Sequence, residues 1–190
     1  MRKDWLIQVE NEKLIDLRRL VNISLFTSLI IVGGYLSLPL PLSPVPIVLA
    51  DFFVMLSGLL LGGRAGAASV GLLIFLSLIG LPVLAGGGAG IAVYYGPTGG
   101  FIFGYLACAS VAGWIANKGT PGIIKDLAAL VCGNALLYAL GVPWLKFVAK
   151  LSWEQAIAFG LLPFIGGMVI KMITAVALAR ILRPGINRLR

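Results

Sequence analysis

The sequence predicts an all-α integral membrane protein, a bundle of six transmembrane helices with both termini cytoplasmic and lid loops on the extracellular face. Three observations point there. Of 190 residues, 59% are hydrophobic and 12% charged, whereas a soluble domain carries roughly a quarter charged residues; the mean hydropathy is +1.03. A globule of this size has too little interior to hide so much apolar surface from water. Residues 20–50 and 65–117 contain no Asp, Glu, Lys or Arg, and a helix crosses the hydrocarbon in about 20 residues. Finally, the positive charges fall mostly on one side of the resulting topology. The chain reads as one domain: a cytoplasmic segment over 1–19, the bundle over about 20–182 and a basic cytoplasmic tail over 183–190.

The first apolar segment runs over about Leu20–Leu36 and stops at Pro39, Pro41, Pro44 and Pro46, because proline lacks the N–H a helix needs and clashes with its preceding turn. The second, about Ile47–Leu61, ends in Gly62-Gly63-Arg64. The third, about Gly66–Ile79, ends before Pro82 and the run Gly86-Gly87-Gly88-Ala89-Gly90. The fourth is about Pro97–Ala116, the fifth about Ile123–Val142 and the sixth about Leu161–Leu182. The second and third are short for full crossings, which predicts tilt or local thinning. Ahead of the first span, Trp5, Leu6 and Val9 fit either an interfacial turn or a helical extension of that span. Nothing before it resembles a cleavable signal peptide.

Lys and Arg accumulate in cytoplasmic loops. Six spans with the N-terminus inside put Arg2, Lys3, Lys13, Arg18, Arg19, Arg64, Lys118, Lys125, Arg180, Arg183, Arg188 and Arg190 in the cytoplasm. Only Lys146 and Lys150 fall outside, and Lys171 lies within a span. The outer face then carries the stretches 37–46, 80–96 and 141–160, the first two without any charge. Such small-residue, uncharged loops suit folding back as a lid, where glycines let backbone approach a ligand closely. Re-entry between helices is the alternative.

Several function classes are excluded. The chain has no His, and with it go the commonest general base and zinc ligand. Cys108 and Cys132 lie far apart in apolar stretches, a spacing for neither metal nor disulfide framework; they read as packing residues. The net charge of +8 sits at chain ends and short loops rather than on a basic face with stacking aromatics, which argues against nucleic acid. The glycine runs lack the Lys-Ser/Thr pair of a phosphate-binding loop. No metal and no non-protein cofactor is implied. A membrane-embedded enzyme has little acid–base equipment here.

Lys171 is the sharpest feature. It lies deep in the sixth segment, and a charge at a helix centre costs about 2.5–3.5 kcal/mol on insertion scales. It is expected to face the bundle interior and meet an anion from the protein or a ligand; snorkelling to an interface is the competing reading. Asp51, one turn into the second segment, is expected to cap that helix, to pair with Lys171, or to accept hydrogen bonds from a polar ligand. Asn134 and Tyr138, one turn apart on the fifth segment, offer neutral contacts to a ligand or between helices. Ser24 and Ser28 make a small face on the first helix for close approach of another helix.

Together, Leu38-Pro39-Leu40-Pro41 through Pro44-Val45-Pro46-Ile47, Leu59-Leu60-Leu61-Gly62, Gly80-Leu81-Pro82-Val83-Leu84-Ala85-Gly86-Gly87, and Gly96-Pro97-Thr98-Gly99-Gly100-Phe101 through Gly104-Tyr105 resemble the BioY family. That family is the biotin-specific membrane subunit (S component) of energy-coupling factor transporters. The match runs from about Ile23 to Arg180 and includes Tyr138 to Trp144 and Leu162-Pro163-Phe164.

The resemblance implies a multi-pass protein of the prokaryotic cytoplasmic membrane that captures biotin from outside under the loops 37–46 and 80–96. A separate transmembrane coupling subunit and two ATP-binding cassette ATPases would power release. It aligns Ser24 and Ser28 with the helix-one residues that meet the coupling subunit and Lys171 with a pocket lysine; Gly86 and Gly87, in the second loop, are expected to contact the ligand. It also exposes one departure. The family reads Pro-Gly-Asp ahead of that lysine where this chain has Gly166-Gly167-Met168, so Met168 occupies the place of an acid suited to the ureido N–H donors of biotin. Either Asp51 supplies the acceptor from the second helix, or the ligand is lipoate or a related apolar carboxylate.

Overall fold

The computed structural model describes residues 2–41 and 43–187, with side chains over 17–41 and 43–185. The side chains of Arg2, Lys3, Lys13, Arg188 and Arg190 in the charge map, and those of Trp5, Leu6 and Val9, lie outside the described residues. The backbone before residue 17 continues the first helix, α1 (Arg2–Tyr35). After the hairpin strands β1 (Ser37–Leu40) and β2 (Ser43–Val48) come α2 (Ala50–Leu61), α3 (Gly63–Leu78), a 3-10 turn at Ala85–Gly87 and the short α4 (Ala92–Tyr95). The long α5 (Gly99–Ala116) and α6 (Ile123–Ala149) follow, then α7 (Trp153–Gly160) and α8 (Leu162–Asn187). The fold is mostly helical, with four stretches long and apolar enough to cross a membrane and the shorter apolar α2 and α3. Its outer surface is oily: Leu20, Val131, Phe147, Ile170 and Ile181 are all more than half exposed, the pattern of helices solvated by lipid rather than water.

Helix α2 sits at the centre. Ala50 and every residue from Val54 to Leu61 are buried, so beyond its first turn it is enclosed on every side and carries no charge. Close approach makes this possible: a Cβ on Gly58 would lie 2.9 Å from the Ala109 carbonyl of α5, and one on Gly104 would lie 2.9 Å from the Leu137 carbonyl of α6. The α2–α3 corner is made by Gly62, whose φ of 86° suits a residue without a Cβ.

Three boundaries differ from the sequence expectation. The proline stretch 37–46 is a hairpin rather than a loop, so the all-α expectation gains a small sheet. Its register pairs Ser37 with Val48, Leu38 with Ile47 and Leu40 with Ser43. In a two-stranded ribbon every strand is an edge, the setting in which a sheet tolerates proline, and Pro44 and Pro46 share one parity, so their missing donors fall on one side of β2. Helix α6 continues past Pro143 to Ala149. The turn beyond that proline is held by burial of Leu145, which outweighs one lost backbone bond. The sixth segment is the start and middle of α8, and the outer stretch 141–160 ahead of it is helical too: α7 opens with a Ser152–Gln155 capping box, and the chain breaks at Leu161 before Pro163 enters the first turn of α8.

Both uncharged stretches fold onto the bundle. Leu84 and Tyr94 are 6% exposed, the Tyr94 hydroxyl bonds Ser77, and Trp144 Nε1 donates to the Gly96 carbonyl at 3.0 Å. Tyr35 donates to the Pro82 carbonyl. Ser43 Oγ at the hairpin tip donates to the Phe159 carbonyl of α7 at 2.8 Å.

Candidate functional site

A cavity with two lobes lies beneath the hairpin. Val45, Pro46 and Val48 of β2, with Phe101 and Tyr105 of α5, form the wall shared by both lobes. The larger lobe, about 170 Å³, is apolar, walled by residues such as Ile30, Leu73, Leu84, Val93 and Ile102, with Thr98 at its edge. The smaller, about 40 Å³, contains Asp51 and Lys171, with Leu137, Tyr138 and Phe164 around them. A slot that is oily over most of its length and charged at one end is the form of a site for an apolar molecule with one polar group.

The charged end is built from three elements. Lys171 of α8 donates to Asp51 Oδ1 at 2.8 Å, to Asp51 Oδ2 at 2.9 Å and to the Val48 carbonyl at 2.6 Å. An ammonium has three donors, and here all three are used. Asp51 lies in the first turn of α2, where the helix dipole favours a negative charge; its Oδ1 also accepts from the Phe52 N–H at 3.0 Å. A carboxylate has about four acceptor positions, so Oδ2 keeps one open. The pair is only 15% and 16% exposed. Phe101 meets Tyr138 edge to face, ring centroids 6.2 Å apart, and the hydroxyls of Tyr105 and Tyr138 make no hydrogen bond with any described residue. The smaller lobe therefore offers one open anionic acceptor and two free hydroxyls, and no free cationic donor.

The residues singled out in the sequence divide. Lys171, Asp51 and Tyr138 come together in the smaller lobe, and the Lys171 ammonium points inward instead of reaching an interface. Asn134 is buried one turn from Tyr138 and donates to the Leu130 carbonyl at 2.9 Å and to Met55 Sδ at 3.2 Å, joining α6 to α2. Met168 is half-buried against the core and is not in the cavity wall. Gly86 and Gly87 take positive φ, 63° and 82°, and shape the turn that presents Leu84 and Ala85 to the larger lobe. Ser24 and Ser28 face outward on α1, Ser28 Oγ bonding the Ser24 carbonyl at 3.0 Å. Among the described residues no cluster of acids and cysteines suits a metal ion.

Sequence reasoning put a pocket under 37–46 but did not single out Val45, Val48, Phe101 and Tyr105 as its wall, because an apolar residue lining a cavity has the same pattern as one filling a core. It also missed a second buried ion pair. Asp126 of α6, fully buried, accepts from Arg183 of α8 at 3.0 and 3.1 Å, and Arg183 donates as well to the Leu59 carbonyl near the end of α2 at 3.2 Å.

Comparison with known proteins agrees with this architecture. The profile of the BioY family matches residues 8–188. The "Biotin transporter BioY" of Rhizobium etli is 38% identical over 177 residues, covering 88% of this chain and 94% of the relative. That of Thermotoga maritima is 39% identical over 163 residues, 86% and 94% of the two chains. The crystal structure at 2.1 Å of the S-component for biotin from an ECF-type ABC transporter superposes with a TM-score of 0.83 at 32% identity, covering 89% of this chain and 92% of the other.

Proposed function

The chain belongs to the BioY family, and on that premise we propose that it is the biotin-binding subunit of an energy-coupling factor transporter, a carrier rather than an enzyme. The cavity under the hairpin holds the ligand. The single observation that carries the choice of ligand is the hydrogen-bond inventory of the charged lobe. With every Lys171 donor committed, the open position is an acceptor on Asp51, and it suits a ligand N–H. The ureido ring of biotin brings two such donors around one carbonyl, and the free hydroxyls of Tyr105 and Tyr138 suit that carbonyl. The fused rings and valerate chain extend along the apolar lobe, where burial of hydrocarbon contributes about 25 cal/mol per Å².

Lipoate fits this inventory poorly. It has no N–H to offer Asp51 and no ureido carbonyl for the Tyr105 and Tyr138 hydroxyls.

In this reading the chain crosses the prokaryotic cytoplasmic membrane six times, with α2 and α3 as the short crossings and both termini inside. Two Trp–Lys pairs support the placement. Lys118 lies 3.7 Å from the Trp114 ring centre and Lys146 lies 5.1 Å from that of Trp153, as aromatic and basic residues do at the two interfaces. Along α6, Lys125 and Lys146 stand about 31 Å apart at 1.5 Å per residue, against a hydrocarbon thickness of about 30 Å. The outward Ser24–Ser28 face of α1 is the contact for a transmembrane coupling subunit, and two ATP-binding cassette ATPases drive release.

The test is equilibrium binding of radiolabelled biotin to purified protein, with unlabelled lipoate as competitor. Wild-type protein binds biotin saturably and lipoate fails to displace it. Asp51→Asn replaces the ionised acceptor with an amide and lowers biotin affinity about tenfold or more, the scale of one hydrogen bond to a charged group. Unchanged affinity in that variant, or equal displacement by lipoate, defeats the assignment.

A further inference from the structure

A groove of about 430 Å³ opens between α3 and α5 at the end of the bundle away from the hairpin, lined by Gly63, Arg64, Ala67, Ser110, Val111 and Trp114. It has two zones. Two cations stand at this end: Arg64, in the wall, is exposed and makes no hydrogen bond or ion pair with any described residue, and Lys118, outside the wall, rests on the exposed Trp114 ring that lines it. One turn deeper, Ala67 and Val111 leave an open apolar slot, and the Ser110 hydroxyl is spent on the Leu106 carbonyl at 2.6 Å. No acid belongs to the groove wall. The other basic residue turned into the bundle at this end, Arg183, has a carboxylate of its own. Arg64 and Lys118 have none among the described residues.

We propose that this groove is a binding site for one anionic phospholipid of the leaflet on that side, the cytoplasmic one in the topology above. Its phosphate lies between Arg64 and Lys118, its glycerol against Trp114, and an acyl chain follows the slot past Ala67 and Val111. Charge complementarity selects the occupant: two unpaired cations at an interface attract anionic headgroups, and the slot below them is uncharged hydrocarbon surface that a coupling protein's acidic loop would leave empty. The site shares no wall with the biotin cavity, so it stands or falls separately from ligand capture.

Native mass spectrometry of the full chain released from mixed phosphatidylglycerol and phosphatidylcholine micelles provides the test, with biotin binding as the control for folding. Wild-type protein retains one phosphatidylglycerol in preference to phosphatidylcholine. Arg64→Gln lowers that retention about fivefold, the effect expected of one interfacial cation, and Arg64→Gln with Lys118→Gln abolishes the preference; both keep wild-type biotin binding. Ala67→Leu with Val111→Phe fills the slot and removes retention while leaving the cations in place. Equal retention of the two lipids by wild-type protein, or retention unaffected by Arg64→Gln or by the filled slot, overturns the proposal.

Discussion

Helix α2 is held at its two ends by the same kind of clasp, and the two clasps differ in what surrounds them. At the hairpin end, Lys171 joins Asp51 and the Val48 carbonyl just before α2. At the opposite end, Arg183 joins Asp126 and the Leu59 carbonyl in its last turn. Both cations come from α8, twelve residues apart in sequence, about 18 Å along the helix, which is the length of α2 itself. The first clasp borders the cavity under the hairpin, and its two side chains are 15% and 16% exposed; in the second Asp126 is fully buried, while Arg183, 11% exposed, lines a separate surface pocket with Pro121, Arg180 and Pro184. The residue types follow the settings. Arginine presents a rigid fork that meets a carboxylate with two parallel bonds and still reaches a carbonyl, which suits a permanent tie. Lysine is a compact charge whose three donors can be filled while the carboxylate opposite keeps an open acceptor. Asp126 also keeps acceptor positions, but it is fully buried; the open position of Asp51 borders a cavity that a guest can enter.

Breaking the Asp126–Arg183 clasp carries the largest expected effect. Asp126→Ala strands the Arg183 guanidinium in a low-dielectric interior, where removing one partner of a buried pair costs about 3–5 kcal/mol. Thermal unfolding in detergent is expected to show a large loss for Asp126→Ala, whereas replacing both partners with apolar residues, Asp126→Leu with Arg183→Met, restores much of it. A double variant as unstable as the single would show that the two side chains do not act as a unit.

Breaking the open clasp is expected to affect binding more than folding. Lys171→Met removes the countercharge from Asp51, but the cavity admits water or a proton to that carboxylate, so the unfolding temperature falls less than for Asp126→Ala. Biotin affinity falls by about 2–4 kcal/mol, roughly thirtyfold to a thousandfold, the range for truncating one partner of a hydrogen-bonded charge pair in an interface. Titration with labelled biotin measures it. A stability loss equal to that of the inner clasp, with binding retained, would reverse the roles assigned to the two ends.

The outer clasp was legible in the sequence and the inner one was not, for a physical reason. Lys171 stands out because its neighbours over several turns are uncharged, and Asp51 because 20–50 has no acid before it. Asp126 and Arg183 fall near the predicted ends of spans, where charges are expected at an interface, and only packing shows that Arg183 folds back under α2. The helical segments themselves were legible because hydropathy acts over whole segments. The hairpin was not, because prolines argue against strands and the pairing of Leu38 with Ile47 depends on tertiary contacts. Pro143 likewise marks a helix end in sequence, yet the buried Leu145 beyond it carries α6 onward.

The smallest expected effect separates what the open clasp does alone from what its neighbours add. Tyr138 stands beside Asp51 with a free hydroxyl, on a ring held edge to face by Phe101. Tyr138→Phe keeps the ring, the packing and both ions, and removes a single donor. If that hydroxyl meets the ureido carbonyl, the variant weakens biotin by about 0.5–1.5 kcal/mol, the net worth of one neutral hydrogen bond, or roughly twofold to tenfold. Desthiobiotin, which keeps the ureido group and lacks the sulfur, is expected to lose the same factor, since the change acts only at the ureido end. A loss confined to biotin would place the sulfur-containing ring, rather than the ureido group, beside Tyr138. That result would turn the ligand end for end in the cavity and leave the open acceptor of Asp51 facing something else.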